Sequence, residues 1–276
     1  MIKKIIKYGI GIFVIIFIAN IVYFYSQAGN VALIKIDSII TTKKANELIE
    51  AINKAKEDSE IKAILIKINS GGGEAVASQR LFLAIKEVSK TKFTVALIED
   101  IGASGAYYAA CGADKIISYP ASIVGSIGVI FETINVSKLA EKSGVSLFVV
   151  KTGKVKDIGN PFREPTEEDK NMIKNLLNSV YEQFLNAVST SRHIPIKKLK
   201  QIADGSVFSG IQAKKLKLVD STGGLEEAKK LIEENIKEPA KFESFNKQKN
   251  SLSKLLNETF NYMELLSKPS IKMMAK

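Results

Sequence analysis

Hydrophobic positions divide the chain into one uncharged leading run and a body in which two periodicities alternate. The run is Tyr8–Tyr25 (YGIGIFVIIFIANIVYFY). Its 18 residues span ~27 Å as a helix, close to the ~30 Å hydrocarbon core of a bilayer. In the body, Val31–Ile36 (VALIKI), Lys62–Ile68 (KAILIKI), Phe93–Ile98, Ile116–Tyr119 and Val145–Val150 predict strands. Helical spacing covers Thr41–Glu57 and Ala75–Ser89, the latter with Val76, Leu81, Leu83 and Ile85. A long helix is predicted from about Glu167 to Ser191, opened by Thr166 and Asp169 as a capping box. Strands alternating with helices predict an α/β fold with a largely parallel sheet and helices on its faces. No internal repeat is visible.

The leading run carries its own orientation signal. Lys3, Lys4 and Lys7 precede it, which places the N-terminus in the cytoplasm and the rest of the chain across the membrane. Tyr23, Phe24 and Tyr25 suit the outer interface. A cleaved signal peptide is the rival, because Ser26-Gln27-Ala28 resembles a small-x-small cleavage site. The apolar run exceeds the ~7–15 residues usual for such a segment, which favours an uncleaved anchor. The expected division is a basic cytoplasmic segment at 1–7, a transmembrane anchor at 8–25, an extracytoplasmic domain at 26–240 and a tail at 241–276. In the tail, Leu252, Leu255, Leu256, Phe260, Tyr262 and Met263 predict an amphipathic helix over Ser251–Ser267.

Composition narrows the chemistry. The net charge of +11 raises nucleic-acid binding, but the lysines are scattered beside Glu and Asp and no nucleic-acid motif accompanies them. A basic exterior beside an anionic membrane surface accounts for the charge. One Cys excludes an intrachain disulfide, and one His excludes HExxH and multi-His metal sites. A Ser-His-Asp mechanism would have to use His193, which reads as a surface or helix-end residue just before Pro195.

Two strand-to-helix junctions are candidate sites. Asn69-Ser70-Gly71-Gly72-Gly73 follows a strand and enters a helix, so its backbone N–H groups form an anion site, an oxyanion hole or merely a turn. GxxxxGK[ST] is absent, against a phosphate loop. The second junction, Ile101-Gly102-Ala103-Ser104-Gly105-Ala106-Tyr107-Tyr108, sets Ser104 among small residues. Ser104 either caps the following helix or acts as a nucleophile near its positive end. A base could come from Lys151, Lys154 or Lys156, since burial lowers a lysine's pKa into a useful range. Ser89-Lys90-Thr91-Lys92 and Lys151-Thr152-Gly153 match SxxK and KTG of penicillin-recognising enzymes. Ser244-Phe245-Asn246 follows the KTG, however, the reverse of that family's order, and the matches read as chance.

Several spaced segments together resemble the signal peptide peptidase A family. They are Asn69–Gly73, Gly102–Tyr108, Ala113–Ile116, Gly125–Val129, Gly153–Asp157, Asp204–Gly210 and Leu218–Asp220, in order over roughly residues 31 to 230. The length resembles the short, single-domain form. The resemblance implies a caseinolytic-protease/crotonase-like fold of ββα repeats and a membrane-anchored serine endopeptidase. Ser104 aligns with the nucleophile, Lys156 with the general base and Ser126 with the hydroxyl that orients the lysine. Gly73 and Gly105 align with the oxyanion-hole donors. The resemblance implies homo-octamers on the outer face of a bacterial cell membrane, hydrophobic peptide substrates such as signal-peptide remnants, and no metal, nucleotide or organic cofactor. Two positions depart from the family pattern: Gly71 stands where Pro is usual, and Lys217 where Gly usually precedes Leu-Val-Asp. A crotonase-type acyl-CoA enzyme and a non-enzymatic membrane scaffold with a vestigial site are the alternatives.

Overall fold

A computed structural model describes residues 29–246 and 270–274. In chain order the elements are β1 (Val31–Ile36), α1 (Thr42–Glu57), β2 (Ala63–Ser70), β3 (Gly72–Glu74), α2 (Ala75–Val88), β4 (Phe93–Ala103), α3 (Gly105–Ala110), β5 (Lys115–Ser118), β6 (Ile123–Gly125) and β7 (Ile130–Glu132). Then follow α4 (Ser137–Lys142), α5 (Glu167–Arg192), α6 (Ile196–Leu199), β8 (Val207–Ser209), α7 (Gly210–Lys215), β9 (Ser221–Thr222), α8 (Leu225–Ile236), β10 (Phe242–Ser244) and β11 (Ser270–Met274). The main sheet runs β10-β1-β2-β4-β5-β9, and every pairing along that path is parallel. This is the mostly parallel α/β architecture expected from the alternation.

Both faces of this sheet are covered, which is why its central strands read as nearly continuous apolar runs. Ile64, Ile66 and Ile68 of β2 join the larger core with α1, α2, α3 and α5. Ala63 and Leu65 point the other way and pack with Ala228 and Ile232 of α8. α1 is capped by Thr41, whose hydroxyl accepts from the Lys44 N–H at 3.2 Å. α5 opens on the expected capping box of Thr166 and Asp169. His193 is the left-handed cap at the far end of α5, and exposed, as read from sequence.

Two strands run further than their apolar patterns. β2 continues to Ser70 and β4 to Ala103, five residues beyond the predicted end at Ile98. β4 thereby pairs with β5 through Val95–Ile98 and with β6 through Ile101–Ala103. One expectation is overturned. Val145–Val150 forms no strand and is exposed, with Phe148 at 90%. No described strand pairs with it, and β propensity without a partner edge does not make a strand. The anchor expected at Tyr8–Tyr25 and the helix expected at Ser251–Ser267 lie outside the described residues. Among the described residues no helix is long and apolar enough to cross a membrane.

Lys217 follows the last turn of α7 with φ 62°, in the left-handed region. A side chain there costs ~1–2 kcal/mol. Lys217→Gly is expected to add roughly 0.5–1 kcal/mol after the glycine's greater unfolded-state freedom is subtracted. The melting temperature should rise by about 2–4 °C. A lower melting temperature would contradict this backbone conformation.

Candidate active site

The carboxyl ends of three neighbouring strands bring the predicted glycine loop and the two predicted serines to one edge of the sheet. Ser70 at the end of β2 lies opposite Gly102 of β4, and Ala103 at the end of β4 lies opposite Gly125 at the end of β6. The chain leaves these strands through the glycine loop, through Ser104 and through Ser126. The apolar pattern could not reveal this adjacency, because Ser104 and Ser126 are 22 residues apart in sequence and meet only through strand pairing.

Ser104 sits on a sharp strand-to-helix turn. Its φ of 53° and ψ of −121° are unusual for a residue with a side chain. The turn is held from both sides: the Ser104 N–H donates to the Gly125 carbonyl at 2.7 Å, and its carbonyl accepts from the Tyr108 N–H at 2.9 Å. The side chain makes no capping hydrogen bond to α3, so the capping reading does not apply. Ser104 is 1% exposed, beneath a helix whose every residue is buried. A strained, uncommitted serine at a strand end is the arrangement expected of a nucleophile. Gly105 opens α3 directly after it, so its N–H lies on the same turn.

Ser126 repeats the geometry on the next strand. Its φ is 50°, it is 7% exposed, and its N–H donates to the Ser206 carbonyl at 2.7 Å. Gly205 closes the other side by donating to the Ile127 carbonyl at 3.2 Å. β8, antiparallel to β6, thus supports the second serine.

The glycine loop is tied down despite its composition. The Ser70 hydroxyl donates to the Ser38 carbonyl at 2.7 Å and accepts from the Gly72 N–H at 3.2 Å. Gly73 bridges Ile40: the Ile40 N–H donates to the Gly72 carbonyl at 2.9 Å, and the Glu74 N–H to the Ile40 carbonyl at 2.8 Å. The Glu74 carboxylate accepts from Thr42 Oγ1 at 2.5 Å and from its N–H at 3.0 Å. These ties hold the loop, although Gly71 stands where proline is usual in the family pattern. Sequence reading missed Ser70, although a serine just before a glycine run is a recognisable turn signal.

Lys156 lies on a different part of the chain, the segment between β7 and α5. It is exposed, and its ammonium has no hydrogen bond or ion pair among the described residues. The segment is anchored by Arg163, a residue the sequence reading did not single out. Arg163 reaches Asp157 through Nε and Nη2, both at 2.9 Å, and Asp169 through Nη1 at 2.5 Å. Lys151 Nζ also reaches Asp157 Oδ1 at 2.5 Å. The Arg163 and Lys151 hydrogen bonds hold the Asp157 carboxyl well below the usual range, and Arg163 does the same for Asp169. Asp157 is therefore committed to Arg163 and Lys151.

Other groups are less suited to chemistry. Burial pushes the Cys111 thiol up to about 12, which disfavours the thiolate a cysteine nucleophile needs. Among the described residues no group of three or more His, Cys, Asp or Glu is placed to hold a metal ion.

The chain is similar to known peptidases. The model of peptidase family S49 matches residues 86–238, 153 of the chain's 276. That span holds Ser104, Ser126 and Lys156, while Gly73 lies before it. A protein of Methanocaldococcus jannaschii described as a putative protease is 36% identical over 228 residues, 81% of this chain and 71% of that one. A putative signal peptide peptidase SppA of Enterococcus faecium is 34% identical over 178 residues, 64% of this chain and 52% of that one. The chloroplastic serine protease SPPA of Arabidopsis thaliana is 33% identical over 185 residues, 67% of this chain and 27% of that one. With more than half its length matched and a buried, strained serine at the strand ends within the match, the chain belongs to peptidase family S49, the signal peptide peptidase A family.

Proposed function

We propose that this protein is a serine endopeptidase working through a Ser104/Lys156 dyad on a caseinolytic-protease/crotonase-like core. The observation that carries the reading is the pairing of two positive-φ serines at adjoining strand ends, Ser104 after β4 and Ser126 after β6. Neutral Lys156 takes the Ser104 proton, and the alkoxide attacks a peptide carbonyl. The amides of Gly73 and Gly105 stabilise the oxyanion, each worth ~3–4 kcal/mol in comparable sites. Lys156 then protonates the leaving amine, and Ser126 orients the lysine. Water hydrolyses the acyl-enzyme by the reverse proton path. No cofactor enters this scheme.

A lysine acts as base only when its ammonium is desolvated, and Lys156 is exposed in the single chain. The base role therefore requires enclosure by a neighbouring copy. The exposed apolar run around Phe148 and Val150, on the same segment as Lys156, supplies a surface for that contact. Assembly into a homo-oligomer, with eight copies by family resemblance, on the outer face of a bacterial membrane follows the same reading. Hydrophobic peptides such as signal-peptide remnants are its substrates, and Tyr8–Tyr25 its single-pass anchor. The exposure of Lys156 also favours the rival reading, a scaffold with a vestigial site.

A quenched-fluorescence hydrophobic peptide separates the two. Ser104→Ala and Lys156→Ala should each fall to background, and mixing the two variants should recover part of the wild-type rate if the dyad forms between copies. No cleavage by folded, assembled wild type would support the scaffold. Cleavage surviving Lys156→Ala would move the base elsewhere, with Lys154 and His193 next to test.

A further inference from the structure

Charge is spread unevenly along the chain. Residues 183–219 hold seven Lys and Arg residues and a single acid, Asp204, so this stretch carries a net +6 of the whole chain's +11. Asp204 is itself occupied, accepting from the Ser206 N–H at 3.0 Å. Of the seven cations, Arg192 pairs with Asp220 at 2.9 Å and Lys200 with Glu182 at 2.7 Å. The ammonium groups of Lys197, Lys198, Lys214, Lys215 and Lys217 have no ion pair among the described residues, and all five are exposed. Folding gathers them: Arg192 Nε donates to the Lys217 carbonyl at 3.1 Å, which brings the end of α5, from which α6 follows, to the end of α7. Like charges gathered without counterions repel one another, and an anionic partner relieves the repulsion. Ile196 is exposed beside Lys197. An apolar side chain among cations suits a lipid interface, where it enters the headgroup region.

The cluster lies at the amino end of the parallel sheet. Asp220, one residue before β9, holds Arg192 and accepts from the Ile116 N–H near the start of β5 at 2.8 Å. Asn30 is at the same end: its N–H donates to the Lys241 carbonyl at 3.0 Å just before β10, and its carbonyl accepts from the Lys62 N–H at 2.8 Å just before β2. β1 and β9 stand four strand spacings apart, about 19 Å. Ser26–Ala28 separate Gly29 from Tyr25, the last residue of the uncharged run, and such a link reaches at most about 14 Å. The uncharged run therefore joins the domain at the end that carries the five lysines. Other lysines at this end are neutralised, Lys62 by Glu238 and Lys90 by Glu87, both at 2.6 Å. Ser104 and Ser126 lie at the opposite, carboxyl end.

We propose that this face, formed by the ends of α5 and α7 with α6 between them in sequence, docks on an anionic lipid surface through Lys197, Lys198, Lys214, Lys215 and Lys217. The orientation rests on the anchor and peptidase readings above; the attraction rests on the cluster alone. Each lysine near such a surface strengthens attachment about fivefold. Nucleic acid fits less well, because no nucleic-acid motif accompanies the cluster, whereas its place beside the junction with the uncharged run fits a bilayer plane. In the docked domain the eleven residues of β4 hold Ser104 roughly 30 Å from the headgroups. The serines then act on peptide that has left the membrane, not on peptide embedded in it.

The experiment places the full chain in nanodiscs of phosphatidylcholine, with and without phosphatidylglycerol. The rate at which a water-soluble ester acetylates each lysine is read by mass spectrometry, with exposed Lys138 and Lys142 of α4 as internal references. The five lysines should react about fivefold more slowly in the discs that contain phosphatidylglycerol. That protection should vanish at about 0.5 M salt, where the Debye length falls to about 4 Å. Hydrogen exchange over Lys214–Leu218 should slow several-fold in the same discs. It should not slow in a full-length variant carrying Lys197→Gln, Lys198→Gln, Lys214→Gln, Lys215→Gln and Lys217→Gln together, whose fold a thermal melt verifies. Equal acetylation in both kinds of disc would overturn the proposal. So would a single-stranded oligonucleotide that, added to phosphatidylcholine discs, protects the five lysines as strongly as phosphatidylglycerol does. Release of the chain from vesicles by alkaline carbonate would sink the anchor reading alone; acetylation of the released chain with phosphatidylglycerol vesicles still decides whether this face docks.

Discussion

Ser104→Ala is expected to lower kcat/KM by about 10⁴-fold, roughly 5.5 kcal/mol of transition-state stabilisation, while leaving the fold intact. Removing the nucleophile leaves only the oxyanion hole and substrate binding to act on water, which is why loss of one member of such a constellation costs nearly as much as loss of all. The structural cost should be small. The Ser104 hydroxyl makes no capping bond, so alanine leaves no new orphaned partner in α3. Ser104→Gly supplies an independent check. Glycine adopts φ of 53° without the penalty serine meets, so this variant should be inactive and about 1 kcal/mol more stable than wild type. That combination, function lost and stability gained, is the signature of strain kept for catalysis. Activity in Ser104→Ala above about one hundredth of wild type would remove Ser104 from the nucleophile role, and a destabilised Ser104→Gly would contradict the strained turn.

Gly73→Ala should cost both stability and activity, for one geometric reason. The added Cβ would lie 2.1 Å from the Ile40 carbonyl oxygen and 2.7 Å from its carbon and nitrogen. These are backbone atoms of a residue that is fully buried, so nothing flexible can give way. β3 must move off Ile40, breaking the Ile40 N–H bond to Gly72 and the Glu74 N–H bond to Ile40. Overpacking costs ~1–3 kcal/mol, and each lost backbone bond about 1 kcal/mol more. Moving the loop also displaces one oxyanion donor, worth about 10²–10³ in kcat. Gly153→Ala is the contrast: a Cβ there meets nothing within 4 Å, and stability should stay within about 0.5 kcal/mol of wild type. Thermal melts and peptide kinetics on the two variants measure both effects. A Gly73→Ala protein as stable and active as wild type would contradict the close approach of β3 to Ile40.

Much of this protein was legible in its residues because the relevant physics is local. The apolar runs of β1 and β2, the helical stripes of α1 and α2, and the Thr166/Asp169 capping box each depend on neighbours within a few positions, and each stands where the pattern put it. Ser104 was visible as a small-residue junction after a strand. The alternation itself implied a parallel sheet, since parallel neighbours need a crossover between them. The tertiary structure decided what depends on partners distant in sequence. The Val145–Val150 run has strand composition but no described edge to pair with, so it stays exposed. Ser104 and Ser126 become neighbours only because β4 outlasts β5 and takes β6 along its last three residues. Lys156 carries the residue type of a base, but its place on the exposed segment held by Arg163 follows from folding, not from spacing. The C-terminal strand shows the limit most plainly: Ser270–Met274 has no strand signal of its own, and pairs because β3 and β7 leave unsatisfied backbone edges on either side of one strand's width. Local propensity is written in the residues themselves, whereas pairing belongs to whichever edge the fold leaves open.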